Sequence, residues 1–209
     1  ANIKLGVDEL SQYSTTIDYE NYSLKFIVTD EEQAECKVKC STKPTVETSV
    51  SIPSTVTISG IDYTVTSIAN SAFYNSDYIT SIEIPNTVTS IGTNAFNDCD
   101  ALSNVDLSNA LTSIGSKAFY DCDALSSIEL PNALTSIGEY AFYSCSILSD
   151  IEIPASVTTI GNYAFQYCSN LDTLTFEENS QLAAISQYAF SNCSDLTSIT
   201  IGNSVTSIG

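Results

Sequence analysis

Five cysteines, Cys99, Cys122, Cys145, Cys168 and Cys193, recur at intervals of 23, 23, 23 and 25 residues, and thiols invite a disulfide, metal or nucleophile reading. Histidine is absent from the 209 residues, which removes the commonest general base and the commonest transition-metal ligand. No nucleophile–base pair can be named, so no catalytic residues, cofactor or enzymatic activity are expected. No CxxC spacing exists, so a zinc site is not expected either. If the repeats stack like parallel strands, equivalent thiols lie about 4.8 Å apart, within reach of a disulfide. Stacked side chains point in parallel, however, which opposes the disulfide dihedral. Cysteine is also among the most buried residue types, so the column reads as buried free thiols. Cys36 and Cys40 would sit about 13 Å apart on one strand face, too far to pair with each other.

A second column, Glu83, Asp106, Glu129 and Glu152, has the same 23-residue spacing and continues as Thr175 and Thr200. Each lies between two apolar residues at strand period, so these side chains point outward as a row of carboxylates. Such a row could attract a cationic partner surface or weakly hold Ca²⁺ through oxygen ligands. Unit charges about 5 Å apart in water repel by roughly 0.8 kcal/mol, which a solvated row tolerates without a bound ion. A glycosidase reading fails because a solvated row has no pocket to raise one carboxyl pKa.

Tyrosines supply a third feature. Tyr140, Tyr163 and Tyr188 share one column, and Tyr74, Tyr120 and Tyr143 share another three positions on. On a short helical turn Tyr140 and Tyr143 fall on one side, giving an aromatic stripe that either anchors a partner or covers the wall beneath it.

The elements that position these columns are set by an internal repeat. Phe73, Phe96, Phe119, Phe142, Phe165 and Phe190 are separated by 23, 23, 23, 23 and 25 residues. Apolar columns such as Ile82, Val105, Ile128, Ile151, Leu174 and Ile199 run in the same register, giving L-x-x-I-x-I-P-x-x-V-T-x-I-G-x-x-A-F-x-x-C-x-x. Apolar residues spread around the whole unit mean that each unit is one coil of a solenoid covered by its neighbours. I-x-I has strand period and A-F-x-x-C has the spacing of one helical turn. The expected fold is therefore an α/β solenoid of 23-residue coils, with a parallel β-sheet plus short helical turns. Gly92, Gly115, Gly138 and Gly161 close the second extended piece, where positive φ or close backbone approach is the usual reason. Ala69 and Ser186 in the same column argue against a strict need for positive φ.

Residues 1–49 fall outside the repeat, and "SLKFIVTDEEQAECKVKC" reads as two strands about an acidic turn, an N-terminal β-hairpin cap over the open face of the array at 50–209. "TVTISGIDYTVTSI" reads as a further hairpin leading into the first coil. The array stops mid-unit at "VTSIG", which points to a longer array in the parent protein, and the lack of any Met points to a processed or trimmed N-terminus. Six lysines, no arginine and 25 acids give a net charge of −19, so nucleic acid is not expected as a partner. Beyond residue 43 the only cation is Lys117. No apolar run is long enough to span a membrane.

In "LSSIELPNALTSIGEYAFYSC" and "LSDIEIPASVTTIGNYAFQYC", strand, proline, V/L-T-x-I-G, A-F and Cys fall in register. Residues 50–209 thereby resemble the BspA-like leucine-rich repeats. That resemblance implies a secreted or surface-anchored protein of mucosal bacteria or protozoa, associated with adhesion to host proteins or other cells, without catalytic residues. The expected function is extracellular recognition of a protein or glycan through Glu83, Asp106, Glu129, Glu152, Tyr120, Tyr140, Tyr143, Tyr163 and Tyr188. The alternative is a structural spacer that presents another domain and binds nothing.

Overall fold

The computed structural model describes residues 13–209. The chain begins with an antiparallel meander of β1 (Ser14–Asp18), β2 (Ser23–Asp30) and β3 (Glu35–Thr42). β4 (Thr48–Ser51) leads to the hairpin of β5 (Thr55–Ile58) and β6 (Ile61–Ile68). Its two-residue connection, Ser59 and Gly60, is left-handed at both positions, φ 53° and 82°, the geometry that matches the twist of a tight hairpin. β3 then pairs in parallel with β6, Lys37 opposite Ser67, so the cap meander and the repeat share one sheet.

Subsequent coils are named here by their phenylalanines. The Phe96 coil holds β7 (Ile79–Glu83) and β8 (Ser90–Ile91), and the Phe119 coil β9 (Asn104–Asp106) and β10 (Ser113–Ile114). The Phe142 coil holds β11 (Ser136–Ile137), the Phe165 coil β12 (Asp150–Ile153) and β13 (Thr159–Ile160), the Phe190 coil β14 (Thr173–Phe176) and β15 (Ala184–Ile185), and β16 (Ser207–Ile208) follows. Three walls result. The first carries I-x-I, with parallel ladders β4-β7-β9 and β12-β14. The second carries T-S-I, in one ladder β6-β8-β10-β11-β13-β15-β16 that continues the cap. The third carries A-F.

The third wall departs from expectation: no helix exists among the described residues, so the short helical turns are replaced by another structure. The residues two before and two after each phenylalanine are left-handed, as at Asn94 and Asp98, Lys117 and Asp121, and Tyr140 and Ser144, with φ of 55–61°. This conformation aims alternate N–H groups out of the coil. Lys117, Phe119 and Asp121 donate to the carbonyls of Glu139, Ala141 and Tyr143 in the next coil at 2.8, 2.7 and 2.8 Å, and every interface between consecutive coils repeats this set. Intervening N–H groups close i−3 turns, Ala118 to Gly115 and Tyr120 to Lys117, both 3.3 Å. A helical turn would aim these donors along its own axis, within the coil, and leave the wall unlinked. On the second wall the repeated threonines and glycines donate the other way, toward the preceding coil, as in Thr135 to Thr112 and Gly138 to Ile114, both 2.9 Å.

The interior is a set of like-on-like stacks. Six phenylalanine rings lie face to face, with centroids 5.1–5.4 Å apart and planes within 8°. Beside them runs the cysteine column. Cys99, Cys122, Cys145, Cys168 and Cys193 are buried, and each Sγ donates to the carbonyl of the phenylalanine one coil back, 3.0–3.1 Å away. Ser76 occupies this column in the Phe73 coil, where no regular coil precedes it, and its buried hydroxyl has no partner. Burial pushes the Cys99 thiol up to about 12 and that of Cys193 to about 11, and holds Cys122 and Cys145 well above the usual range.

The repeated glycines have ordinary φ, and close approach is what demands them. A Cβ on Gly138 would meet the backbone carbon of Gly115 at 2.6 Å, and one on Gly161 that of Gly138 at 2.6 Å. Ser186 carries a side chain in this column, and its N–H bond to Ile160 is 3.2 Å, against 2.9–3.0 Å at the glycines.

Two outcomes follow from this packing. Gly138→Ala should lower unfolding free energy by about 1–3 kcal/mol, the usual range for overpacking, measured by urea denaturation. The buried thiols stay protonated while unfolded thiols ionise near 9, so their contribution to stability is complete below pH 9 and declines as pH rises toward the folded values near 11–12. Thermal melts from pH 7 to pH 10 should therefore show falling stability, and iodoacetamide should label the native column far more slowly than the denatured chain.

Candidate functional site

On the first wall the backbone alternates in and out, so Ile82, Val105, Ile128 and Ile151 are buried and Glu83, Asp106, Glu129 and Glu152 are all exposed. The four do not form one uninterrupted ladder. Glu83 stands directly opposite Asp106 and Glu152 opposite Thr175, while residues 126–130 pair with neither neighbour. Glu129 therefore projects between two grooves. One, of about 500 Å³, is lined by Asp106, Asn109 and Asn132, the other, of about 340 Å³, by Asp150, Glu152 and Glu177. The opening falls where leucine replaces β-branched residues at the inward positions: Leu107 and Leu130 for Ile84 and Ile153, and Leu111 and Leu134 for Val88 and Val157. Leucine fits a pleated strand less well than the β-branched residues it replaces, whereas charge alone does not open the wall, since Glu83 and Asp106 pair directly. At the cap end the row is anchored, since Ser51 Oγ donates to Glu83 Oε2 at 3.0 Å. Among the described residues no group of three or more histidines, cysteines or carboxylates converges to hold a metal ion.

On the third wall the structure brings Tyr120, Tyr140, Tyr143, Tyr163 and Tyr188 into one continuous surface. Tyr140 stacks on Tyr163 and Tyr120 on Tyr143, each with centroids 4.7 Å apart, and Tyr163 stacks on Tyr188 at 5.2 Å. Tyr140 and Tyr143 meet edge to face at 5.5 Å, joining the two columns. Tyr74 is left out of the patch: the next residue in its column, Asn97, is buried, and Lys43 Nζ lies 5.7 Å over its ring instead.

Two further side chains join the patch, Tyr167 from the column two residues after the phenylalanine and Lys117 from the column of Tyr140 itself. Tyr167, two residues after its phenylalanine, meets Tyr143 edge to face at 5.4 Å and is 46% exposed. Lys117, the only cation beyond residue 43, places Nζ 5.6 Å from the Tyr120 ring and 5.3 Å from that of Tyr140, within cation–π range. Their signal in the sequence was weak because each occurs once in its column.

The backbone under these side chains is unusual. The two left-handed columns hold Ser71, Asn75, Asn94 and Asp98 in the first two coils, where Asn and Asp are the residues that best tolerate this conformation. Lys117, Tyr140, Tyr163, Tyr167 and Tyr188 take over the same positions at φ 56–63°. A bulky side chain there costs about 1–3 kcal/mol. Ring stacking returns about 0.5–1.5 kcal/mol per pair. Loss of hydration first, and neighbouring tyrosines second, hold the phenols of Tyr120, Tyr140 and Tyr143 above their usual range, so all three are neutral hydrogen-bond donors at physiological pH.

If the acidic row is a solvated repulsive array, Glu129→Gln with Glu152→Gln should raise the melting temperature at low ionic strength by about 2–4 °C, and the gain should shrink in high salt, as differential scanning calorimetry would show.

The model of the BspA-type leucine-rich repeat region matches this chain in six copies, over residues 47–147 and 92–209. Among solved structures, a leucine-rich cell-surface protein from Faecalibacterium prausnitzii A2-165 is 33% identical with a TM-score of 0.74, covering 93% of this chain and 50% of its own. A leucine-rich repeat protein from Bacteroides ovatus ATCC 8483 is 28% identical with a TM-score of 0.69, covering 92% and 55%. The leucine-rich repeat protein of T. pallidum, at 24% identity and a TM-score of 0.72 over 95% of this chain and 80% of its own, shares the fold. No curated protein sequence matches the chain. The chain thus spans about half the length of the Faecalibacterium protein. Its repeat pattern, its coil geometry and the family match over residues 47–209 agree, and the chain belongs to the BspA-type leucine-rich repeat family.

Proposed function

We propose that this chain is a non-catalytic, extracellular recognition module that binds a protein partner through the tyrosine wall. The observation that carries the reading is the occupation of strained left-handed positions by Tyr140, Tyr163, Tyr167 and Tyr188 where Asn94 and Asp98 serve the same turns at lower cost. The phenylalanine stack beneath is complete without them, so the rings are not needed to close the core. Mutual stacking occupies the ring faces of the inner tyrosines and leaves edges and hydroxyls outward. That presentation suits hydrogen bonds and edge contacts to a polypeptide better than stacking on the face of a sugar.

Glu83, Asp106, Glu129 and Glu152 supply a supporting field on the first wall. In a chain of net charge −19 they favour a basic partner and a faster encounter with it. Cell-surface placement rests on the family's named members, of which the Faecalibacterium relative is described as a cell-surface protein.

Tyr140→Asn with Tyr163→Asn separates binding from folding, because Asn is the better left-handed residue. The melting temperature should hold or rise while retention on immobilised extracellular-matrix proteins falls by about tenfold or more, as for loss of two aromatic anchors. Equal retention of wild type and variant would overturn the tyrosine reading. Failure of the wild type to bind any matrix or mucosal surface would favour a spacer.

A further inference from the structure

The cap concentrates the positive charge of an otherwise acidic chain on one face. Lys25 and Lys39 stand directly opposite each other across β2 and β3, and Lys37 shares their face two residues from Lys39. Like charges in directly opposed positions destabilise a sheet. Glu35 shares the face two residues before Lys37, but Lys25, Lys37 and Lys39 stand opposite no carboxylate on the neighbouring strands.

At this face the second wall begins, and a groove of about 400 Å³ opens between β3 and the first two strands of the ladder. Lys37, Lys39, Ser67, Asn70, Ser90 and Ile27 line it. Among the described residues no carboxylate does. Asn70 Oδ1 is engaged by the Thr93 N–H at 2.9 Å, which leaves its amide NH₂ as a donor. The polar side chains are therefore two ammonium groups, an amide donor and two hydroxyls, beside an apolar surface from Ile27. That set complements a ligand with an anionic group, several hydroxyls and an apolar ring face, and the volume lies in the range of small-molecule pockets, about 300–1,000 Å³.

We propose that this groove binds an acidic saccharide, its carboxylate or sulfate held by Lys37 and Lys39, its hydroxyls by Ser67, Ser90 and Asn70, and its ring over Ile27. The site is separate from the tyrosine wall and does not depend on it.

Isothermal titration of the full chain with a hyaluronan hexasaccharide, a chondroitin sulfate hexasaccharide and neutral maltohexaose tests this. At least one acidic oligosaccharide should bind, more weakly as salt rises, and maltohexaose should not. A response to hyaluronan assigns carboxylate recognition, and a response to chondroitin sulfate alone assigns sulfate. Lys37→Gln with Lys39→Gln should weaken binding by about tenfold or more. Lys37→Arg with Lys39→Arg should retain most of it, and Tyr140→Asn with Tyr163→Asn should leave it unchanged. Thermal melts of the Arg variant should match wild type and those of the Gln variant should match or exceed it, since both side chains lie on the outer face and Lys39→Gln removes the repulsion from Lys25. Absence of binding to either acidic oligosaccharide, equal binding of maltohexaose, or unaltered affinity in the Gln variant overturns the proposal. Self-association in sedimentation that is lost with the lysines and also with Glu129→Gln and Glu152→Gln would assign the face to the acidic row of a second copy, and would overturn it equally.

Discussion

Every residue in this array must tolerate lying against its own counterpart about 5 Å away, the spacing read directly from the phenylalanine stack. That single requirement sorts the columns. Flat aromatic rings satisfy it face to face, and small buried thiols satisfy it by reaching back to a neighbouring carbonyl. Glycine satisfies it where two backbones come so near that no Cβ fits. Carboxylates satisfy it in part: Glu83 and Asp106 hold their ladder, while the first wall opens around Glu129. Tyrosine satisfies it well enough to persist on a backbone that disfavours bulky side chains.

Because the same requirement acts on every coil, much of the architecture is legible in the sequence. The interval of 23 residues sets the coil, and the alternation around Glu83 and Glu129 tells inward from outward without reference to any structure. The cap hairpins announce themselves through acidic or Ser-Gly turns between apolar runs. What is not legible is the A-F segment. A spacing of three or four residues is shared by a helical turn and by tight turns set between two left-handed residues, so the pattern of apolar positions cannot separate them. The deciding clue was Asn75, Asn94 and Asp98 at the turn positions, and Lys117 and the tyrosines mask it in later coils. Likewise the glycine column had two explanations in the sequence, and only the distance between adjacent backbones chooses close approach.

The candidate surfaces show the same division. Tyr120, Tyr140, Tyr143, Tyr163 and Tyr188 could be grouped by column, because stacking follows from register. Tyr167 joins them by its contact with Tyr143, and Lys117 by reaching over Tyr120 as well as Tyr140, contacts between columns that depend on how far each side chain leans across the wall. The groove beside Lys37 and Lys39 is further from reach, since it forms where the cap sheet passes in parallel into the first repeat strand, a pairing between residues some 30 positions apart.

The opposed directions of the hydrogen bonds carry a final consequence. On the third wall N–H groups of each coil point toward the following coil, and on the second the repeated Thr and Gly N–H groups point toward the preceding one. An α-helix aligns its peptide dipoles and accumulates a field at its ends. Here each coil offers the next the same three donors on the third wall and the same carbonyls on the second. Adding one unit therefore leaves the end of the array as it was, and growth by duplication needs no new interface.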